Sequence, residues 1–111
     1  MLAAKIDANQ GAIVEALRKC GALVLSLASV GKGCPDLLVS YRGDLVLMEV
    51  KGEKGRLTPD QVEFHSEWPV SVVRTVEDAM MVIGVIDSIT VRTYSGEVFQ
   101  VRTWERQDSE I

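Results

Sequence analysis

Residues 36–51 read DLLVSYRGDLVLMEVK, and this stretch decides the fold. Two β-prone segments flank a short turn at Arg42-Gly43-Asp44, which is typical of a β-hairpin, so strands are predicted over Asp36–Tyr41 and Leu45–Lys51. Four consecutive apolar residues lead into Glu49 in the second segment, which indicates a central strand buried on both faces. The hairpin is therefore predicted to lie in the middle of a larger sheet.

The register of this hairpin places two carboxylates opposite each other. If residues 42–43 form a two-residue turn, Asp36 lies directly opposite Glu49 on the same face of the sheet. A four-residue loop keeps this register, whereas a three-residue loop breaks it. Facing carboxylates repel each other and destabilise a sheet, but a divalent cation would turn the pair into a binding site, because hard cations take carboxylate oxygens.

The alternative interpretation of these residues is structural. Glu49 and Lys51 point to the same face of the strand and can pair with each other, while Asp36 caps the preceding loop. An isolated Glu-x-Lys favours this interpretation. The facing Asp36 favours a metal site, because a buried pair of like charges is costly unless something compensates it.

The remaining patterns predict an α/β protein. Apolar residues recur at helical spacing from Ile13 to Cys20, and they predict a helix over Ala8–Cys20 that opens with a capping box between Asp7 and Gln10. The other predicted elements are a buried strand over Ala22–Ala28, a helix that starts at Thr58-Pro59, a strand over Val70–Arg74, a helix over Val76–Ile86, and a second hairpin formed by Ile89–Tyr94 and Glu97–Trp104 across Ser95-Gly96. This order predicts a mixed central sheet flanked by helices.

Composition is that of one globular domain. The chain has 111 residues, of which 47% are apolar and 25% are charged. It contains no apolar run near the ~18–20 residues of a membrane helix, and its first ten residues lack the layout of a signal peptide, so a cytoplasmic protein is expected. Two cysteines and one histidine are too few for a structural zinc site.

Charge does not decide whether the chain binds nucleic acid. The net charge of −4 argues against non-specific binding to phosphates. The charge is unevenly placed, however: Glu105, Asp108 and Glu110 fall in the last seven residues, while Lys51, Lys54 and Arg56 cluster in the middle of the chain.

Three motifs resemble those of the PD-(D/E)xK nuclease superfamily and, more closely, of the VRR-NUC (virus-type replication-repair nuclease) domain. They are Gly33-Cys34-Pro35-Asp36, Glu49-Val50-Lys51-Gly52 and Leu57-Thr58-Pro59-Asp60-Gln61, in this order. The resemblance covers about residues 7–86 and implies a restriction-endonuclease-like α/β fold. The expected organisation is a single nuclease domain over 1–104, with its core at 7–86 and an extra C-terminal β-hairpin at 89–104, followed by an acidic tail at 105–111.

The resemblance implies a metal-dependent endodeoxyribonuclease, with branched, flap or junction DNA as possible preferred substrates. Asp36 and Glu49 match the acids that bind Mg²⁺ or Mn²⁺, with the backbone carbonyl of Val50 as a further ligand. Lys51 matches the lysine that orients or activates the attacking water, and Gln61 matches a glutamine near the site. The alternative role of Gln61 is that of the capping-box partner of Thr58, which the sequence predicts as the helix cap. Small relatives of this kind stand alone in phages, which implies a phage or bacterial host cytoplasm. The alternative is a catalytically silent nucleic-acid-binding or assembly module of the same fold.

A residue on the first helix is a further candidate for the metal site. Many relatives carry a glutamate there. In this chain Gln10 falls on the buried stripe of the predicted helix, whereas Glu15 points to the opposite side. Gln10 is therefore the helix-1 candidate, and its alternative role is that of a capping-box partner for Asp7.

The remaining predictions concern partners. Lys32, Lys54 and Arg56 are candidates for contacts with DNA, and the alternative is an ordinary solvated loop. His65 lies one helical turn after Gln61, a spacing that could bring it to the cleft, but it is expected to be a surface or packing residue. The last hairpin carries apolar residues on both faces and is not stable alone, so a homodimer with the hairpin at its interface is predicted.

Overall fold

The computed structural model describes residues 8–85, 89–92 and 94–101, and its largest element is a four-stranded mixed sheet. The elements in chain order are α1 (Gln10–Lys19), β1 (Leu23–Ser26), β2 (Leu37–Tyr41), β3 (Asp44–Val50), α2 (Pro59–Glu67), β4 (Val70–Val73), α3 (Val76–Val82), β5 (Ile89–Arg92) and β6 (Val98–Val101). The predicted α/β class with a mixed sheet and flanking helices is confirmed. Strands β5 and β6 form a separate two-stranded sheet.

The hairpin of β2 and β3 has the predicted register. Tyr41 pairs with Asp44 across Arg42 and Gly43, whose φ angles of 49° and 85° are those that a tight two-residue hairpin turn requires. The same register pairs Leu37 with Met48, so that the next position places Asp36 opposite Glu49. Strands β1, β2 and β3 are antiparallel neighbours, and β4 joins β3 in parallel.

The hydrophobic core lies between helices α1 and α3 and one face of the sheet. Its members share nearly complete burial and include Ile13, Leu17, Leu37, Val39, Met48, Val50, Val73, Ala79 and Met80. Burying a side chain of this size stabilises the folded state by about 1.5–3 kcal/mol. The core therefore fixes the carboxyl ends of β3 and β4, where the candidate site lies.

Strand β1 is exposed, so its prediction as a buried strand was wrong. Leu23 and Leu25 are 73% and 59% exposed, because β1 is an edge strand and these side chains lie on the sheet face opposite the core. Leu45 of β3 lies on the same face and is 70% exposed. Strand β3 is thus buried on both faces only at its carboxyl end, over residues 48–50.

Helix α1 does not begin with the predicted capping box. Its N-cap is Asn9, whose side chain makes no cap hydrogen bond, while Asp7 lies outside the described residues. The Asn9 amide Nδ2 instead donates to the backbone carbonyls of Lys51 (3.1 Å) and Arg74 (2.7 Å). These bonds attach the start of α1 to the segments that follow β3 and β4.

Helix α2 begins as predicted. Thr58 is the N-cap, Pro59 occupies the first turn, and Thr58 and Gln61 form a reciprocal capping box. No residue of α2 is fully buried. Its place on the sheet therefore depends on a few specific contacts at the candidate site.

The second hairpin forms, but its register differs by one residue from that of a two-residue Ser95-Gly96 turn. Ile89 pairs with Val101 and Val91 with Phe99. A strand was predicted over Glu97–Trp104, and the structure describes this segment only as far as Val101. The tail at 105–111 lies outside the described residues. Within the described ranges, no helix has the length and apolar character needed to cross a bilayer.

Candidate active site

Asp36 is held at the start of β2 by the neighbouring strand. Its Oδ2 accepts a hydrogen bond of 2.7 Å from the backbone N–H of Val50. A carboxylate that accepts an N–H at this distance forms a charge-assisted bond, which is stronger than a bond between neutral groups. The bond fixes the Asp36 carboxylate where the register places it opposite Glu49.

Glu49 is the most deeply buried charged residue of the described chain, with 2% exposure. Its Oε2 accepts a hydrogen bond of 3.3 Å from Nε2 of Gln61, and its Oε1 lies 3.8 Å from Nε2 of His65. Gln61 and His65 are four residues apart on α2 and therefore share one face of the helix. Both carboxylate oxygens of Glu49 thus face α2, and these contacts offset part of the cost of burying the charge.

His65 is neutral in this environment. Burial lowers the pKa of its imidazole below the ordinary value of 6.5, and the positive charge of Lys51 lowers it further. This environment favours the neutral ring beside the Glu49 carboxylate over the protonated one. The sequence favoured a surface or packing role for His65, and the structure places its ring beside Glu49, on the helix face that its spacing of four from Gln61 indicated.

Cys34, two residues before Asp36, lies near enough to the two carboxylates for their charges to act on its thiol, and it was not among the predicted site residues. Burial raises the pKa of its thiol, and the negative charges of Glu49 and Asp36 raise it further. The thiol is therefore protonated and lies within the field of both carboxylates. The signal in the sequence was its place two residues before Asp36.

Gly33 allows the loop before Asp36 to touch the first turn of α2. Its φ is +77°, and a Cβ at this position would overlap the backbone carbonyl of Asp60 and lie 2.8 Å from the backbone nitrogen of Gln61. A side chain would push the loop and the helix apart. The glycine thus brings the segment that carries Asp36 against the helix that carries Gln61.

Lys51 completes the cluster at the end of β3. Its backbone N–H donates to the carbonyl of Val73 at 3.0 Å, and its charge acts on His65. The structure therefore brings Asp36, Glu49, Lys51 and Gln61 together at the carboxyl end of β3.

Gln10 is buried as predicted, with 6% exposure. Its Oε1 has no hydrogen-bond partner among the described residues. The adjacent Asn9 contacts the backbone of Lys51, so the start of α1 lies beside the cluster, although no hydrogen bond links Gln10 to the carboxylates in the described part of the chain.

The three predicted DNA contacts lie outside the cluster. Lys32, Lys54 and Arg56 are exposed side chains on the two loops that flank it. Lys32 has a φ of 55° in the loop before Asp36, while Lys54 and Arg56 follow Lys51.

The described side chains do not by themselves supply a complete set of metal ligands. In the part of the chain that is described, no group of three His, Cys, Asp or Glu side chains converges in a way that would hold a metal ion. What the site offers is two carboxylates, Asp36 and Glu49, with backbone oxygens beside them.

A solved structure described as "VRR_NUC domain" is similar to this chain. The two are 26% identical, the match covers 72% of this chain and 100% of that chain, and the TM-score is 0.54. No family model matches the sequence, and no curated protein matches it.

Proposed function

We propose, from the premise that this chain is a VRR-NUC domain, that it is an endodeoxyribonuclease that hydrolyses DNA phosphodiester bonds with Mg²⁺ or Mn²⁺. The observation that carries the proposal is the buried Glu49 carboxylate, held by Gln61 and placed opposite Asp36 with Lys51 on the same face. Asp36 also serves the fold by accepting from the Val50 N–H, so the buried Glu49 charge is the feature that a binding-only fold explains least.

The donor chemistry fits a hard divalent cation. Mg²⁺ is commonly bound by one or two carboxylates and retains several waters, so an incomplete cage is no obstacle. Asp36, Glu49 and the carbonyl of Val50 would hold the ion, with Gln10 as a further candidate because its buried Oε1 is unsatisfied among the described residues. When bound, such an ion supplies Lewis-acid polarisation and lowers the pKa of water.

The protein's own residues would orient the reacting groups. The Gln61 amide fixes the rotation of Glu49, and the Val50 N–H fixes that of Asp36. Lys51 places a positive charge where negative charge develops on the phosphate and orients the attacking water. Neutral His65 adds a ring nitrogen beside Glu49 without adding charge.

DNA binding is proposed through the two flanking loops. Lys32 on one side and Lys54 and Arg56 on the other offer exposed cations next to the carboxylates. Such contacts position the DNA backbone without reading its sequence. They give a local positive surface on a chain whose net charge is −4.

A cleavage assay tests the proposal. Labelled linear, flapped and four-way DNA is incubated with the protein and Mn²⁺ or EDTA. Cleavage should require the metal, and Asp36→Ala, Glu49→Gln or Lys51→Gln should reduce its rate by about 100-fold or more. Lys19→Gln is the control, because it removes an exposed cation that pairs with Glu15 on α1. DNA binding without cleavage under any metal, and unchanged in Asp36→Ala, would support the silent binding module instead.

We also propose that the protein is a homodimer. Five leucines lie on the sheet face opposite the core, which we call the leucine face: Leu23, Leu25 and Leu45 are exposed, and Leu38 and Leu47 beside them are half-buried. Contiguous exposed apolar surfaces of this kind are uncommon on monomers and mark interaction sites. A second copy of this chain would cover the leucine face. The contribution of the C-terminal hairpin to this interface stays a prediction.

A further inference from the structure

The Arg74 side chain makes hydrogen bonds to the loop that follows β3, the strand that carries Glu49. It lies directly after β4, and its side chain is half-buried. Its Nη1 donates to the backbone carbonyls of Gly52, Gly55 (2.9 Å) and Glu53 (3.4 Å). One guanidinium nitrogen thus faces three carbonyls of the same short loop.

The loop at 52–57 depends on such a contact for its shape. It contains Gly52 and Gly55, and glycines leave a segment with more backbone freedom to lose on folding than other residues do. A hydrogen bond of 3.1 Å from the Gly55 N–H to the Gly52 carbonyl closes a tight turn within the loop. Arg74, directly after β4, donates hydrogen bonds to the carbonyls of both glycines of this turn.

Arg74 is itself firmly anchored. Its backbone N–H donates to Oδ2 of Asp78 at 2.9 Å, and its carbonyl accepts from Nδ2 of Asn9 at 2.7 Å. The same Asn9 nitrogen donates to the carbonyl of Lys51 at 3.1 Å. Lys51, at the start of the loop, and Arg74 therefore both accept hydrogen bonds through their backbone carbonyls from the side chain of Asn9, the N-cap of α1.

We infer that Arg74 is a positioning residue, which holds the loop at 52–57 so that Lys54 and Arg56 face the DNA backbone next to Lys51. The inference rests on the proposed DNA-binding function. Since the hydrogen bonds of the guanidinium go to loop carbonyls, its effect on DNA is exerted through the two exposed cations of the loop.

The test is a DNA-binding titration in EDTA, which separates binding from cleavage. Arg74→Lys keeps the charge, but its ammonium ends one bond short of the position of Nη1 and should not reach all three carbonyls. Both Arg74→Lys and Arg74→Gln should therefore raise the Kd for labelled duplex DNA by about 3–10-fold. The slope of log Kd against log salt should fall by up to ~2, because each lost phosphate contact removes about 0.9. Arg42→Gln is the matched control, since it removes the same charge at the opposite end of the β2–β3 hairpin.

A double-mutant cycle isolates the route of the effect. In a Lys54→Gln/Arg56→Gln background, Arg74→Gln should change the Kd by less than about twofold, because the cations it positions are already gone. A full additional loss in that background would mean that Arg74 contacts DNA directly, and it would overturn the inference. Wild-type affinity in Arg74→Lys would also overturn it.

Limited trypsin digestion gives a readout that does not depend on DNA. In folded Arg74→Lys protein, cleavage after Lys54 and Arg56 should accelerate, while cleavage elsewhere stays unchanged. Loss of the folded state in both Arg74 variants, seen by circular dichroism, would assign the residue to stability and overturn the inference. A wild-type protein with no salt-dependent DNA binding would refute the proposed function, whereas normal wild-type binding with an unaffected Arg74→Lys refutes the positioning role alone.

Discussion

The backbone N–H of Val50, the last residue of β3, donates a hydrogen bond of 2.7 Å to the carboxylate of Asp36, which lies directly before β2. Val50 is 1% exposed, so this N–H has no access to water as a replacement acceptor. The bond is therefore both a structural link across the hairpin and the contact that orients an acidic side chain of the candidate site.

Removal of the Asp36 acceptor should destabilise the protein even without metal. Asp36→Ala leaves the buried N–H of Val50 unsatisfied, which should lower the unfolding free energy by about 1–3 kcal/mol. Asp36→Asn keeps an acceptor oxygen and removes a like charge opposite Glu49, so its loss should be smaller. Urea unfolding in EDTA measures both, and equal losses would show that the charge, rather than the acceptor, matters.

Mn²⁺ should stabilise the folded protein through the carboxylate pair. At 100 times its Kd, a ligand of the folded state adds about 2.7 kcal/mol, so the Tm should rise when Mn²⁺ replaces EDTA. Asp36→Ala and Glu49→Gln should lose this rise, while Lys51→Gln should keep it. Glu67→Gln, an exposed site on α2, serves as the control. An undiminished rise in Glu49→Gln would place the metal elsewhere.

Two glycines of one loop offer a matched pair of substitutions. Gly31 and Gly33 both have a φ of +77°, but a Cβ at Gly31 would meet open space, whereas one at Gly33 would overlap the backbone of Asp60. Alanine at either position should cost about 1–2 kcal/mol for its backbone conformation. Gly33→Ala should cost roughly 1–3 kcal/mol more, because α2 must shift. Equal unfolding free energies for the two variants would contradict the close contact.

Lowering the pH should reduce the unfolding free energy of the metal-free protein, because His65 takes up a proton more readily in the unfolded chain. Its folded-state pKa lies below the ordinary 6.5, so the unfolded chain binds more protons than the folded protein as the pH falls through that value. This contribution to stability is present above about pH 6.5 and is lost below it. His65→Gln should show a shallower fall in unfolding free energy between about pH 7 and about pH 5. Parallel curves for the two proteins would argue against a lowered pKa.

The leucine face can be tested with two residues of similar exposure. Leu25 and Val30 are 59% and 61% exposed, but Val30 lies in the loop after β1, outside the leucine face. Light scattering at micromolar concentration should give about twice 12.2 kDa for the wild type and for Val30→Lys. Leu25→Lys should shift the mass toward a monomer, because a buried lysine would need a partner charge. A monomeric wild type would exclude the dimer.

Part of this fold could be predicted from the sequence, because it depends on interactions between residues close together in the chain. The Arg42-Gly43 turn fixes the register of the β2–β3 hairpin, because turn length and strand alternation are short-range properties. The start of α2 follows from the Thr58–Gln61 capping box in the same way. The first feature already placed Asp36 opposite Glu49, whereas a position of Gln61 near the site was implied only by the resemblance to the VRR-NUC domain.

Other features depended on which strands become neighbours. An apolar run such as Ala22–Ala28 has the same pattern at the edge of a sheet as in its middle, so the exposure of Leu23 and Leu25 was not predictable from it. The register of the second hairpin was also missed, because a glycine-bearing turn is compatible with more than one loop length.

The sequence by itself determined the hairpin, its register and the acidic pair. Only the tertiary structure placed His65 and Cys34 beside Glu49 and tied Asn9 to Arg74, 65 residues along the chain. The physical reason is that such contacts form where β4 packs in parallel on β3 and α2 docks against the loop at Gly33. Neither arrangement produces a periodic pattern in the sequence, because each contact is made by single side chains from separate elements.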